Sequence, residues 1–319
     1  MLRQSVDRTV GRKRRLVNSV ERVGTLPVGV AEAQPRAGGC GAENPAVGEQ
    51  PGRVDCHRGP QGRYIRRVIP PGLHVVRHHA HAPGPPVVVV HGAPDRSKNF
   101  AHVLHLLGDL PVTAYDRRGY GKSLNAQPPS NGFDDQVADL LAILDGRPSV
   151  VVGQSAGGLI TMMAATRAPE LFLSIGVWEP PVAWAPWWPG HDSDWVTIDV
   201  WVTSDPEQLG EQFNRRLLGD ERWDAVADRT KELLRAEGAA FRADLHSQIA
   251  KPFDAADVKV PMIVGCGTAS GAGTIEGCRR LAEITNAEYF LVEGADHVAH
   301  TNHPEVWAEL VRKTIALAA

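Results

Sequence analysis

Cysteine is scarce in this 319-residue chain: Cys40, Cys56, Cys266 and Cys278 are the four, and no two form a C-x-x-C pair. A disulfide framework and a zinc site are therefore not expected. A strong excess of charge of either sign is also missing, because 34 Lys and Arg face 37 Asp and Glu for a formal net charge of -3, which argues against nucleic acid as a partner. No apolar run reaches the roughly 20 residues that span a bilayer, and the start of the chain holds no apolar signal core. The expectations are a cytoplasmic location, no membrane partner and a small molecule as substrate. The composition, with 43% hydrophobic residues, is that of a globular chain with a sizeable core.

Periodicity of any kind is lacking over residues 1–66, which combine the basic cluster Arg12-Lys13-Arg14-Arg15 with stretches rich in Gly, Pro, Ala and Glu. A segment that buries so little apolar surface cannot offset its ordering entropy. It is expected to be a disordered extension to a catalytic domain spanning 67–319.

From Ile69 the pattern changes to alternating strands and helices. Leu73–Val76, Val87–Val90, Val112–Tyr115, Val150–Val152, Phe172–Trp178, Val260–Val264 and Glu288–Val292 read as strands. Helices are expected over Ser97–Leu107, Phe133–Asp145, Leu159–Ala168 and Thr274–Thr285, with a last one starting at Pro304. This alternation predicts an α/β fold, a mostly parallel central sheet with helices on both faces. Residues from about 181 to 249 interrupt it with short helical patterns and six of the eight tryptophans. They read as an inserted helical cap whose aromatic content favours an apolar substrate.

The chemistry centres on Val150-Val151-Val152-Gly153-Gln154-Ser155-Ala156-Gly157-Gly158. An apolar strand runs into Gly-x-Ser-x-Gly and then into a helix, the context in which a tight turn lifts a serine hydroxyl clear of the sheet. The small residues around Ser155 let strand and helix backbones approach, and the free N–H groups of the helix N-terminus can stabilise negative charge. His297 sits in a loop after the last strand, where a general base for Ser155 is expected; His300 is the reserve candidate. Gly119, Gly121, Lys122 and Ser123 lack the spacing of a phosphate-binding loop and read as a structural turn. The histidines at 78, 79 and 81 read as solvated edge-strand or loop residues.

Four motifs in register, His91-Gly92-Ala93-Pro94, Tyr115-Asp116-Arg117-Arg118-Gly119-Tyr120-Gly121, Gly153-Gln154-Ser155-Ala156-Gly157 and Gly294-Ala295-Asp296-His297, make residues 70–319 resemble the α/β-hydrolase fold family. The resemblance implies Ser155 as nucleophile, His297 as base and an oxyanion hole made by the backbone N–H groups of Ala93 and Ala156, with no metal and no cofactor. Most similar proteins carry the triad acid after the strand that follows the cap, yet Gly265-Cys266-Gly267-Thr268-Ala269-Ser270-Gly271 has no carboxylate. Glu179, at the end of the strand after the nucleophile helix, is the expected acid, a placement that some members of the fold share. Serine in place of aspartate at position 155 argues against dehalogenase and epoxide-hydrolase chemistry. The expected activity is hydrolysis of a small or medium, apolar carboxylic ester through an acyl-enzyme. The alternatives are C–C bond hydrolysis or cofactor-free perhydrolysis on the same triad, and a non-catalytic ligand receptor on the same fold.

Overall fold

The computed structural model of the chain describes residues 56–58, 64–66, 69–189 and 204–318. The expectations for residues 1–55 and for 190–203 in the cap, Trp195 and Trp201 included, lie outside the described residues. Two short strands, β1 (Cys56–Arg58) and β2 (Tyr64–Arg66), pair antiparallel.

Seven further strands form one sheet: β3 (Val75–His78), β4 (Val87–Val90), β5 (Val112–Tyr115), β6 (Ser149–Gln154), β7 (Phe172–Trp178), β8 (Met262–Gly267) and β9 (Glu288–Val292). Their spatial order is β3-β5-β4-β6-β7-β8-β9, and every pairing is parallel except that of β3 with β5. A parallel ladder needs a crossover for each strand, and the crossovers place helices on both faces. Alternate residues of a strand then belong to different cores. Val88, Val90 and Val151 pack on one side with α2 (Phe133–Leu144), α3 (Ala156–Arg167) and α8 (Ala272–Thr285). Val87, Val89, Val150 and Val152 pack on the other with α1 (Ala101–Leu106) and the final helix (Pro304–Ala316), through Trp307, Leu310 and Val311.

The first sheet strand lies two residues later than the pattern predicts, Val75–His78 rather than Leu73–Val76. Its antiparallel pairing at the sheet edge decides this, because Val75 sits opposite Tyr115 and His78 opposite Val112. Helix Ser97–Leu107 divides into a 3-10 turn, Ser97–Phe100, and α1. Strand β8 runs on to Gly267, three residues beyond the apolar run, because its glycines are tolerated where both faces are covered: a side chain at Gly265 would strike Trp178.

Within the cap stretch four helices are described: α4 (Pro206–Leu218), α5 (Asp220–Asp224), α6 (Asp228–Ala236) and α7 (Gly238–Ile249). Asp205 caps α4 through its carboxylate, which accepts from Glu207 N–H and Gln208 N–H, and Pro206 opens the first turn. Helix α6 buries none of its residues, whereas α7 buries Phe241 and Leu245. The described tryptophans of this stretch do packing work: Trp184 meets Phe253 edge-on, Trp188 lies against Gly277 and Trp223 is fully buried.

Candidate active site

Ser155 stands between β6 and α3 with φ 51° and ψ -122°. That conformation is costly for a residue with a Cβ and persists only where the surroundings enforce it. They do so here at close range. A side chain on Gly153 would overlap the Gly157 carbonyl, and one on Gly157 would overlap the carbonyls of Val90 and His91. Ser155 N–H donates to Trp178 O at 2.9 Å, which ties the turn to the neighbouring strand end.

Glu179 follows β7 and also has a positive φ, 46°. The left-handed residue turns the chain sharply at the edge of the sheet where Ser155 lies, and the side chain is buried. Oε2 accepts from His297 Nδ1 at 2.9 Å. Oε1 accepts from Gly267 N–H at 2.9 Å, from Ser270 Oγ–H at 2.6 Å and from the Cys266 thiol at 3.4 Å. Burial alone would raise this carboxyl, but the hydrogen bonds from His297, Ser270 and Gly267 outweigh it and hold its pKa below the usual range. The stretch that lacks a carboxylate therefore supplies donors to one that arrives from β7. Ser270 and Cys266 were not singled out by the sequence, whose only signal for them was the missing acid.

The His297 loop is held from below. Trp178 Nε1 donates to Asp296 O at 3.1 Å and Gln154 Nε2 donates to His297 O at 3.1 Å. Asp296 turns away from the ring of its neighbour, its carboxylate accepting from Val298 N–H and Asn302 Nδ2. His300 is buried, stacked on Phe100 at 4.3 Å with Nε2 3.0 Å from Asp95 Oδ2, so the reserve candidate is committed to a different carboxylate.

Ser155 and His297 open into one cavity of about 180 Å³, walled by Ala93, Pro94, Phe213, Leu217 and Val298 among others. Ala93 comes from the loop after β4, and Ala156 is the first residue of α3, whose leading N–H groups have no intrahelical acceptor. None of the described tryptophans lines this cavity. A larger hollow, about 590 Å³, lies at the sheet edge between β3 and α1 and contains no member of the Ser155 cluster. Among the described residues no group of His, Cys, Asp and Glu is arranged to hold a metal ion, and no helix is long and apolar enough to cross a membrane.

A model of the alpha/beta hydrolase family matches residues 87–310, and the chain belongs to that family. Lipase LipV of Mycobacterium tuberculosis is 33% identical over 114 residues, 35% of this chain and 42% of that protein. Rhodomycin D methylesterase DnrP of Streptomyces peucetius is 41% identical over 71 residues, 21% of this chain and 24% of that protein. The matched stretches thus span less than half the length of these relatives. Among solved structures, a bromoperoxidase from Bacillus anthracis superposes with TM-score 0.58 at 18% identity, covering 83% of this chain and 99% of that one. A thermophilic esterase from Thermogutta terrifontis also gives TM-score 0.58 at 18% identity, with 84% and 98% covered. At that identity the likeness speaks for the fold, an α/β-hydrolase sheet.

Proposed function

We propose that the chain is a serine hydrolase of small carboxylic esters that works through an acyl-enzyme, with Ser155, His297 and Glu179 as its triad. The observation that carries this reading is the 2.9 Å contact between His297 Nδ1 and a buried, fourfold-partnered Glu179 carboxylate, on a ring that shares its cavity with Ser155. A carboxylate there holds the imidazole in the tautomer whose Nε2 can take a proton, and stabilises the imidazolium that results. Ser155 Oγ attacks the ester carbonyl while His297 takes its proton; His297 then returns that proton to the leaving alkoxide, and water reverses the sequence on the acyl-enzyme. The N–H groups of Ala93 and Ala156 are the donors for the oxyanion, Ala156 at the positive end of α3. Ester cleavage is also what the printed names of the lipase and methylesterase relatives describe. The described cavity of about 180 Å³ favours a compact acyl group.

Labelling by a fluorophosphonate probe, together with a panel of p-nitrophenyl esters of increasing chain length, tests the reading. The wild-type chain is expected to label and to favour short esters, and Ser155→Ala to do neither. Persistent labelling of Ser155→Ala, or an unlabelled and inactive wild type, overturns it.

A further inference from the structure

Arg117 is fully buried, and its guanidinium touches three acceptors at once. Nε donates to His91 O at 3.0 Å, Nη2 to Gly92 O at 2.8 Å and Nη1 to Asp244 Oδ2 at 2.9 Å. The first two are consecutive carbonyls of the segment that leads from β4 into Ala93. The third belongs to helix α7 of the cap. Arg117 also reaches the same segment from its own backbone, where its N–H donates to His91 Nε2 at 2.8 Å, while His91 Nδ1–H donates to Gly92 O at 2.7 Å. The guanidinium lies over the Tyr120 ring at 4.5 Å, and Tyr120 OH donates to the same Asp244 oxygen at 2.7 Å. Orientation of the fork is thus set by a carboxylate, a ring and two carbonyls, with no freedom left for solvent to substitute.

We propose that Arg117 is a positioning residue for the oxyanion hole, holding the His91–Gly92 and Gly92–Ala93 peptides so that the Ala93 N–H keeps its aim, with Asp244 as the group that orients the fork. The inference rests on the function proposed above, since it gives a purpose to a segment assigned there as an oxyanion donor. The physical need is clear. The loop after β4 leaves the sheet at Val90, so the ladder no longer fixes its carbonyls, and a peptide free to rotate would swing the following N–H off the developing charge. A planar five-donor fork can bind two adjacent carbonyls and a carboxylate together, which an ammonium on a flexible stem cannot. On the far side the same segment is pinned by Gly157, where any side chain would collide with His91 O. The two donor-bearing segments are therefore locked together from both directions.

A second buried ion pair joins the cap to the core and supplies the control. Arg96 Nη2 meets both oxygens of Glu237 at 2.8 Å, and Gly121 N–H donates to that carboxylate, without touching the His91–Gly92 carbonyls. Arg117→Lys is expected to lower kcat on p-nitrophenyl acetate roughly 10²-fold, the scale of a misplaced reacting group, while KM changes by less than about threefold. The inhibition constant of 2-phenylethylboronic acid, whose serine adduct presents an oxygen to the same donors, should rise in parallel with the loss of kcat. Glu237→Gln should lower the melting temperature yet leave kcat and boronate inhibition near wild type. Tyr120→Phe, which loosens the fork without changing charge, should fall between the two and serves if Arg117→Lys does not fold. A folded Arg117→Lys with wild-type kcat and boronate affinity overturns the inference, as does an equal kcat loss in Glu237→Gln, which would make cap anchoring the whole effect. If the wild type neither labels with fluorophosphonate nor cleaves esters, the function fails separately. The positioning claim is then read from amide hydrogen exchange at residues 91–93, expected to be at least tenfold faster in Arg117→Lys than in Glu237→Gln, with equal rates refuting it.

Discussion

The sheet and the helices of residues 206–249 are held by different mixtures of apolar burial and charge. In the sheet, β4 is four consecutive valines, all buried, and β6 continues the same chemistry, so cohesion comes from apolar burial on both faces. Over residues 206–249, α6 buries nothing, and α7 adds to its buried Phe241 and Leu245 the ion pairs Arg96–Glu237 and Arg117–Asp244, with Phe133 N–H donating to Ser247 Oγ alongside. Apolar packing is indifferent to direction, whereas a buried ion pair tolerates one geometry and penalises the loss of either partner. The contrast implies that a core defect weakens the whole molecule evenly, while a defect in a charged attachment acts where the pair lies, Arg117–Asp244 at the His91–Gly92 carbonyls and Arg96–Glu237 on the anchoring of the helices alone.

The strongest way to break the proposed site is at Glu179. Glu179→Gln keeps the shape of the side chain but removes the charge that His297 faces, and ester turnover is expected to fall by roughly 10²–10⁴ with the melting temperature little changed. Steady-state kinetics beside a thermal melt checks this; near wild-type turnover in a folded Glu179→Gln would remove Glu179 from the triad.

The comparison between sheet and cap is sharpened by a matched pair of substitutions. Glu237→Gln leaves Arg96 without its partner in a buried place and is expected to cost roughly 3–5 kcal/mol. Val89→Ala opens a space within the sheet and should cost about 2–4 kcal/mol. Urea unfolding monitored by both cap and core tryptophans separates them: the valine variant should lose both signals together, and the glutamine variant should lose the cap signal first. Coincident transitions in both would show that cap and sheet are one cooperative unit.

Acid exposes the same contrast. His91 has its pKa lowered to about 4, chiefly by burial and next by the charge of Arg117. Its Nε2 is already occupied as an acceptor by Arg117 N–H, so the folded chain holds it neutral. The unfolded chain takes up that proton near the ordinary histidine value of about 6.5, so below that pH the unfolded state binds more protons and stability declines as pH drops toward 4. The loss assigned to His91 is on the order of 3 kcal/mol. Unfolding free energies at pH 7.5 and 4.5 should differ by less in His91→Gln than in the wild type, and identical slopes would remove His91 as the cause. Glu179, whose pKa lies below the ordinary value, adds stability that is complete above the normal carboxylate range and fades as pH falls through its own lower pKa.

The smallest effect is expected from deletion of residues 1–55, which stops short of the β1–β2 pair. Their sequence has no core-forming period, so activity and melting temperature should change little. A truncated chain that fails to fold would extend the comparison to a third region.

Legibility followed locality. Val87–Val90, the Gly153–Gly157 turn and the stripe of Trp307, Leu310 and Val311 are local patterns whose period or spacing states which face is buried, and the parallel α/β order follows from their alternation. Ser155 and His297 could be expected at one edge of the sheet for the same reason, each following a strand end that the topology brings there. Glu179 was reached by the absence of a carboxylate after β8, but its donors could not be. Gly267, Ser270 and Cys266 lie 87 to 91 residues from it, and only the pairing of β7 with β8 brings them onto Oε1. The roles of Arg117 and Asp244, 127 residues apart, were equally silent. A buried arginine in a glycine-rich turn has the same sequence signature as an exposed one, because charge carries no period. Side-chain partnership across the fold is settled by which elements pack, and that is the part of this protein that tertiary structure alone decided.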